Sequence, residues 1–278
     1  MYTGKIISTT KKLAGILLVA VAIVSCSKEP IKNAEPELLK TFIPEKNKKF
    51  LYKIESDDSG PGTATQWISG EKDSSGITVF NLHTDIEASG SLMPMDNKIF
   101  SIKGKTYTEI KVPDAWYEYV ALFGQMPNIK VTKAEVSGYP AYMVMENALK
   151  DGSIITTEGA PVQEQLIEYT NNGTPGSSHQ EIVQITGSAK VETITVPAGS
   201  FVCNKFSYEV ETRITAKIGD AQETGNGNEK ITVWMAHGIG MVKQESDATL
   251  VTMVPLPTGE IKKIVTNSSS ITTLQKIE

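Results

Sequence analysis

The chain has 278 residues, with 27 Lys+Arg against 32 Asp+Glu and a formal net charge of −5. Arg213 is its one arginine, so neither a nucleic-acid surface nor a bidentate phosphate clamp is expected. Two cysteines leave no room for a disulfide framework or a thiolate metal site.

The first element is an address. Lys5, Lys11 and Lys12 make a positive leader with no acid before Glu29, and Leu13–Val24 is an unbroken apolar run. Its length suits the core of a signal peptide. A membrane-spanning helix would need about 20 residues. Ile23-Val24-Ser25-Cys26 follows and resembles the lipobox of bacterial lipoproteins. The resemblance implies cleavage before Cys26 and acylation of its sulfur and its amine. The residue type fits, because a thiolate is the nucleophile a lipid donor requires. Two or three acyl chains anchor stably, at about 0.8 kcal/mol per buried CH₂. Ser27 is not the Asp that marks inner-membrane retention. The expected location is therefore the bacterial cell envelope, lipid-anchored at the outer membrane, with the face it occupies left open. The expected organisation is a signal peptide at 1–25, a lipidated Cys and tether at 26–48, and one antiparallel β domain at 49–278. The mature chain would carry 24 basic against 32 acidic residues, a net charge of −8. That balance disfavours nucleic acid and any second, electrostatic membrane contact. The tether is polar, with three prolines and room for one helical turn at Glu35–Lys40.

From Lys49 onward the hydropathy alternates with period two. Phe50, Tyr52 and Ile54 alternate with Leu51, Lys53 and Glu55. In Phe206–Ile214 the apolar residues point one way and Ser207, Glu209, Glu211 and Arg213 the other. Similar runs fall near 76–82, 98–102, 107–112, 141–146, 164–169, 180–185, 191–196, 230–235, 248–254, 260–265 and 271–276. Turn residues separate them at Asp57–Gly62, Asp73–Gly76, Asn171–Gly173 and Gly225–Gly227. About a dozen short strands joined by hairpins predict a mostly β protein. Its fold would be a curved antiparallel meander that curls into a half-barrel, a barrel or a sandwich. One segment differs. Pro113–Gly124 predicts a short helix whose Trp116, Tyr119, Val120 and Phe123 form one apolar stripe. Such a helix either packs on the sheet to close the core or forms a lid over an apolar cavity.

Two C-terminal stretches carry a second resemblance: Val196-Pro-Ala-Gly-Ser-Phe-Val-Cys-Asn-Lys-Phe206 and Val233-Trp-Met-Ala-His-Gly-Ile-Gly-Met-Val-Lys243. They are similar to the VPAGxFxCxKF … VWxAxGVGxVK pair of uncharacterised bacterial lipoproteins, the TapB-like group of unknown function. The resemblance implies a curved antiparallel β fold like the half-barrels of lipoprotein carriers (LolA/LolB-like), and no activity. Physically, Pro197-Ala-Gly199 is a tight turn feeding a strand. Gly238 and Gly240 lack side chains and permit a bend, a bulge or the close approach of another element. That leaves two readings of Trp234, His237, Gly238 and Gly240: a folding signature, or a groove for a ligand or partner chain. Trp116 and Phe123 carry the same two readings.

Chemistry is sparse. His83, His179 and His237 are dispersed, with no zinc-type spacing. No nucleophile elbow, P-loop or dinucleotide fingerprint is present. Ser69–Lys72 fits S-x-x-K only as a short match. With Cys26 acylated, Cys203 has no disulfide partner and is expected to be a buried small apolar residue. No cofactor and no metal are expected. The expected function is a non-enzymatic binding module for an apolar ligand or an envelope protein. The alternatives are an envelope glycan hydrolase and a surface adhesive or structural role through loops such as Asn171–His179.

Overall fold

The computed structural model describes residues 40–57, 60–88, 90–159, 162–256 and 258–278. The signal peptide, Cys26 and nearly all of the Glu35–Lys40 turn lie outside them. Glu35–Glu278 clusters as one compact unit. Among the described residues no helix is long and apolar enough to cross a membrane.

In chain order, the first half contains β1 (Phe50–Ser56), β2 (Gly62–Ser74), β3 (Ile77–Ala88), β4 (Ser91–Ile102), β5 (Lys105–Ile110), α1 (Asp114–Phe123), β6 (Ile129–Ser137) and β7 (Ala141–Glu146). The second contains β8 (Ile154–Glu158), β9 (Val162–Asn171), β10 (Thr174–Val196), β11 (Gly199–Ile218), β12 (Ala221–Ala236), β13 (Gly240–Pro255) and β14 (Ile261–Ile277). All pair antiparallel in one sheet, ordered β11-β12-β13-β14-β1-β2-β3-β4-β5-β7-β8-β10-β9-β6. A further β10–β11 pairing closes twelve of these strands into a barrel, and β9 and β6 continue the sheet beyond it. The narrowest seam is β8 on β10, two register pairs at Gly187↔Ile155 and Ser188↔Ile154. It is extended by Ala189 N–H donating to Ser153 O at 2.7 Å.

The expected meander and its helix are present, but the strands are longer than expected. The runs at 180–185 and 191–196 are one 23-residue strand, β10. Those at 260–265 and 271–276 are one 17-residue strand, β14. Gly187 permits the first continuity. The β10–β11 register slips between Ile185 and Ser188, and a Cβ on Gly187 would lie 2.0 Å from Ser207 O. The bend is therefore available only to glycine. β2, β6 and β8 were not expected. β6 is the outer edge of the sheet, and its Lys130, Lys133 and Glu135 blunt that edge at the expense of the alternating signal. The expected turn at Gly225–Gly227 is corrected. Both glycines lie inside β12, and the chain reverses at Gly219–Asp220 instead.

A ring of about eight strands is just filled by its own side chains. One of twelve is wider, and two other parts of the chain fill it. At one pole, where the β2–β3, β4–β5 and β12–β13 turns lie, the segment before β1 enters. Thr41, Phe42 and Ile43 are buried there, and Phe42 is 0% exposed. The tether expected to run to Lys48 therefore gives way to folded chain by Thr41. The reason is the Phe42-Ile43 pair, an apolar plug embedded in polar sequence. At the other pole the β13–β14 ribbon leaves β12, whose pairing with β13 ends at Asn228↔Thr249. The ribbon continues in register to Pro255↔Ile261. It packs Val251 and Met253 against Ile214 and Ala216.

Along β11 one face runs continuously through Phe206, Tyr208, Val210, Thr212, Ile214, Ala216 and Ile218, all buried or half-buried. Its first two residues pack with Phe42 and its last with α1. Fully burying each large apolar side chain contributes about 1.5–3 kcal/mol.

Candidate functional site

Gly238 and Gly240 form the β12–β13 turn with φ of +71° and +78°, conformations that L side chains rarely adopt. They also receive the plug. Gly238 N–H donates to Thr41 O at 2.9 Å, and Glu45 N–H donates to Gly238 O at 2.7 Å. A Cβ on Gly240 would meet Pro44 Cγ at 3.1 Å and Phe42 O at 3.3 Å. The groove that the glycine pair makes possible is thus occupied by the chain's own Thr41–Glu45. His237 Nε2 donates to Asn147 O at 2.5 Å, and its ring lies 5.2 Å from Phe42. Asn147 Oδ1 accepts from Thr106 Oγ1 at 2.6 Å, and Thr106 Oγ1 accepts from Phe42 N–H at 3.3 Å. Three of the segment's neighbours, His237, Asn147 and Thr106, are therefore held by one polar network that ends on Phe42 N–H.

Above the plug is a small apolar cavity of about 150 Å³. Its walls include Met143, Met145, Met235 and Met241, with Leu82 and Val233. Phe42 and Pro44 close it from below. Phe42 meets Phe206 edge-on at 6.0 Å.

A larger chamber, about 350 Å³, lies at the opposite pole. Three elements line it, and one side stays open to solvent. β9, β10 and β11 supply its floor through Gln165, Ser178, Gln180, Ile182 and Ile214. α1 covers one side with Trp116 and Tyr119, and the β13 end covers another with Val251 and Met253. Pro113 occupies the helix N-cap position, where its fixed φ suits the first turn. Trp116 and Phe123 anchor the helix among Ile167, Tyr169 and Ile218, and Phe123 meets Tyr169 edge-on at 5.0 Å. The ribbon is tied across the top by Asn171 Nδ2, which donates to Leu256 O at 2.8 Å. It comes this close because Gly225 has no side chain: a Cβ there would lie 2.6 Å from Val251 Cγ1 and 2.8 Å from Met253 Cε. Of the two chambers' lining residues, Tyr119 and Tyr208 are the ionisable ones, and burial pushes both phenols upward.

The expected site residues therefore separate. Trp116 lines the larger chamber, and Phe123 holds the helix over it. His237, Gly238 and Gly240 seat the plug at the other pole. Trp234 lines neither cavity. It is 4% exposed between the ammonium groups of Lys205 and Lys243, 4.9 and 5.0 Å from its ring, and its Nε1–H donates to Glu192. Cys203 packs in the same cluster, fully buried, and burial followed by the charge of Glu192 pushes its thiol up to about 12. The chamber's other walls were missed in sequence. Gln163, Gln165, Ile167 and Tyr169 alternate along the buried face of β9, but two glutamines there masked the signal. Glu164, His179 and Glu181 bring ligand-type atoms within 4.8 Å on a half-exposed patch of β9–β10, facing neither cavity.

A DUF3108-like family model matches residues 126–248, a span that contains both signature stretches but less than half of the chain. No curated protein matches. Three solved structures are similar in fold. A candidate exported protein with a YmcC-like fold from Bacteroides fragilis is 13% identical, covering 86% of this chain and 99% of its own at a TM-score of 0.40. A candidate lipoprotein from Parabacteroides distasonis is 14% identical, covering 86% and 98% at 0.41. The hypothetical lipoprotein YmcC from Escherichia coli is 12% identical, covering 85% and 86% at 0.20. Scores this low carry no argument about activity.

Proposed function

We propose that the chain is a lipid-anchored protein of the bacterial envelope, held by acyl chains on Cys26, whose barrel binds a small apolar molecule in the chamber beneath α1. The observation that carries this reading is the chamber itself. It has about 350 Å³ of unfilled space walled by Trp116, Tyr119, Ile182, Ile214, Val251 and Met253. That volume is at the lower end of the range for small-molecule sites, and such sites are mostly apolar with a few polar groups. The alternatives gain less. A glycan hydrolase needs two converging carboxylates: none lines either chamber, and in the cleft of about 580 Å³ beside the β2–β3 turn Glu71 is paired with Lys46 and Asp73 accepts from Thr78 Oγ1. An anchor at the outer membrane follows from the lipobox resemblance and Ser27.

The test is displacement of a neutral fluorescent probe, N-phenyl-1-naphthylamine, from the chain Ser27–Glu278, which contains the whole compact unit. Ile214→Trp fills the floor of the chamber and is expected to abolish probe binding while leaving the far-ultraviolet circular dichroism unchanged. Equal probe binding by this variant and the parent would remove the chamber as the site.

A further inference from the structure

The polar groups of the larger chamber say what kind of apolar molecule it accepts. Its lining contains Gln165, Ser178, Gln180 and Thr252, and no Lys, Arg, His, Asp or Glu. Gln165 is buried, and its Nε2 reaches Tyr139 Oη only at 3.5 Å. Lys263, whose stem approaches Gly225, donates to Thr224 O at 3.1 Å and does not line the chamber. A carboxylate or ammonium placed against this lining would give up part of its hydration and find no opposite charge, which is costly. A neutral head would find amide and hydroxyl partners, each such bond contributing about 0.5–1.5 kcal/mol.

Volume sets the size. An apolar cavity of about 150 Å³ holds a benzene-sized molecule. By proportion, 350 Å³ suits about a dozen heavy atoms. Resting on the proposed binding role of this chamber, we infer that it selects an uncharged amphiphile: an alkyl body of that size ending in a neutral hydrogen-bonding head such as an amide, alcohol or ester. The smaller cavity, at about 150 Å³, is too small for this role.

The experiment compares three ligands of one chain length, decanamide, decanoate and decylamine, at pH 8. Each is titrated against N-phenyl-1-naphthylamine bound to Ser27–Glu278. Decanamide is expected to displace the probe at least tenfold more tightly than either ion. Gln165→Leu with Gln180→Leu, with the probe's own affinity for the variant titrated first, is expected to shrink that preference below threefold. Decanoate or decylamine binding as tightly as decanamide would overturn the inference while leaving the chamber as a binding site. An undiminished preference in the double variant would also overturn it, by moving the selection away from these amides. Failure of all three ligands and of the probe would overturn the binding role itself.

Discussion

Replacing Phe42 with alanine separates a plug that belongs to the fold from a tether that merely lies on it. The ring is 0% exposed and packs with Met145, Phe206, Tyr208 and Met235. Phe→Ala in a core costs about 3–5 kcal/mol, part of it the cavity left behind. Here the new void would join the existing 150 Å³ cavity, which limits collapse and places the loss in the upper half of that range. Losing the edge-on contact with Phe206 contributes about 0.5–1.5 kcal/mol of it. At about 2–4 °C per kcal/mol for a chain of this size, the melting midpoint should fall by roughly 8–20 °C. Urea unfolding of Ser27–Glu278 followed by circular dichroism measures it, with removal of residues 27–34, which precede the compact unit, as the control, expected to change stability by less than about 0.5 kcal/mol. A Phe42→Ala loss below about 1 kcal/mol would refute the reasoning, because a ring that costly to expose cannot then be filling the barrel.

Gly187→Ala should destabilise by about 2 kcal/mol or more in urea, since its Cβ meets the Ser207 carbonyl. Gly76→Ala, at φ +80° in open space, should lose only the conformational cost of about 1–2 kcal/mol. Equal losses would remove the bend from β10. Cys203 should resist DTNB in the folded protein up to at least pH 9 and react fully in 8 M urea, because its thiol is held protonated; rapid reaction without urea would contradict its burial. His83 bridges Asp96 at 2.8 Å and Asp85 at 3.0 Å, and its pKa is raised chiefly by the Asp96 hydrogen bond, opposed by desolvation. A raised folded pKa means that the contribution is complete below the unfolded value of about 6.5 and is lost as pH rises through the folded value. NMR titration of the His83 ring should give a midpoint above 6.5, and Asp96→Asn should lower it; an unmoved midpoint would deny the contact.

Much of the architecture was legible because it rests on local alternation. Phe206–Ile214 alternates over nine positions, and α1 carries both its stripe and its end signals, so both were found. β2 was missed because Gln66 interrupts the face of Ala64 and Ile68 while Trp67 on the other face sits among Thr63, Thr65 and Ser69, and β6 because charges guard its edge. What no local pattern contains is the long-range fit. The plug is Phe-Ile-Pro within a charged run, and its partner Gly238 lies nearly two hundred residues away. The Gly238–Gly240 pair leaves room for the close approach of another element, but nothing in the local sequence identifies that element. The chamber was least visible. Its floor uses glutamines, and its roof depends on Gly225 giving way to Val251, a contact that only the closed barrel creates.

The pairing of β14 with β1 and of Glu278 with Lys49 has a consequence for when the barrel can close. Glu278 N–H donates to Lys49 O, and Lys49 N–H donates to Glu278 O, each at 2.9 Å. The first strand therefore waits during synthesis for β14 to arrive. Until then β1 and β13 each expose a bare strand edge, the kind of surface that pairs with other chains. Contacts this distant in sequence also form slowly. A chain stopped short of Ile261 would never lose those edges, so the arrival of β14 and protection from aggregation become the same event.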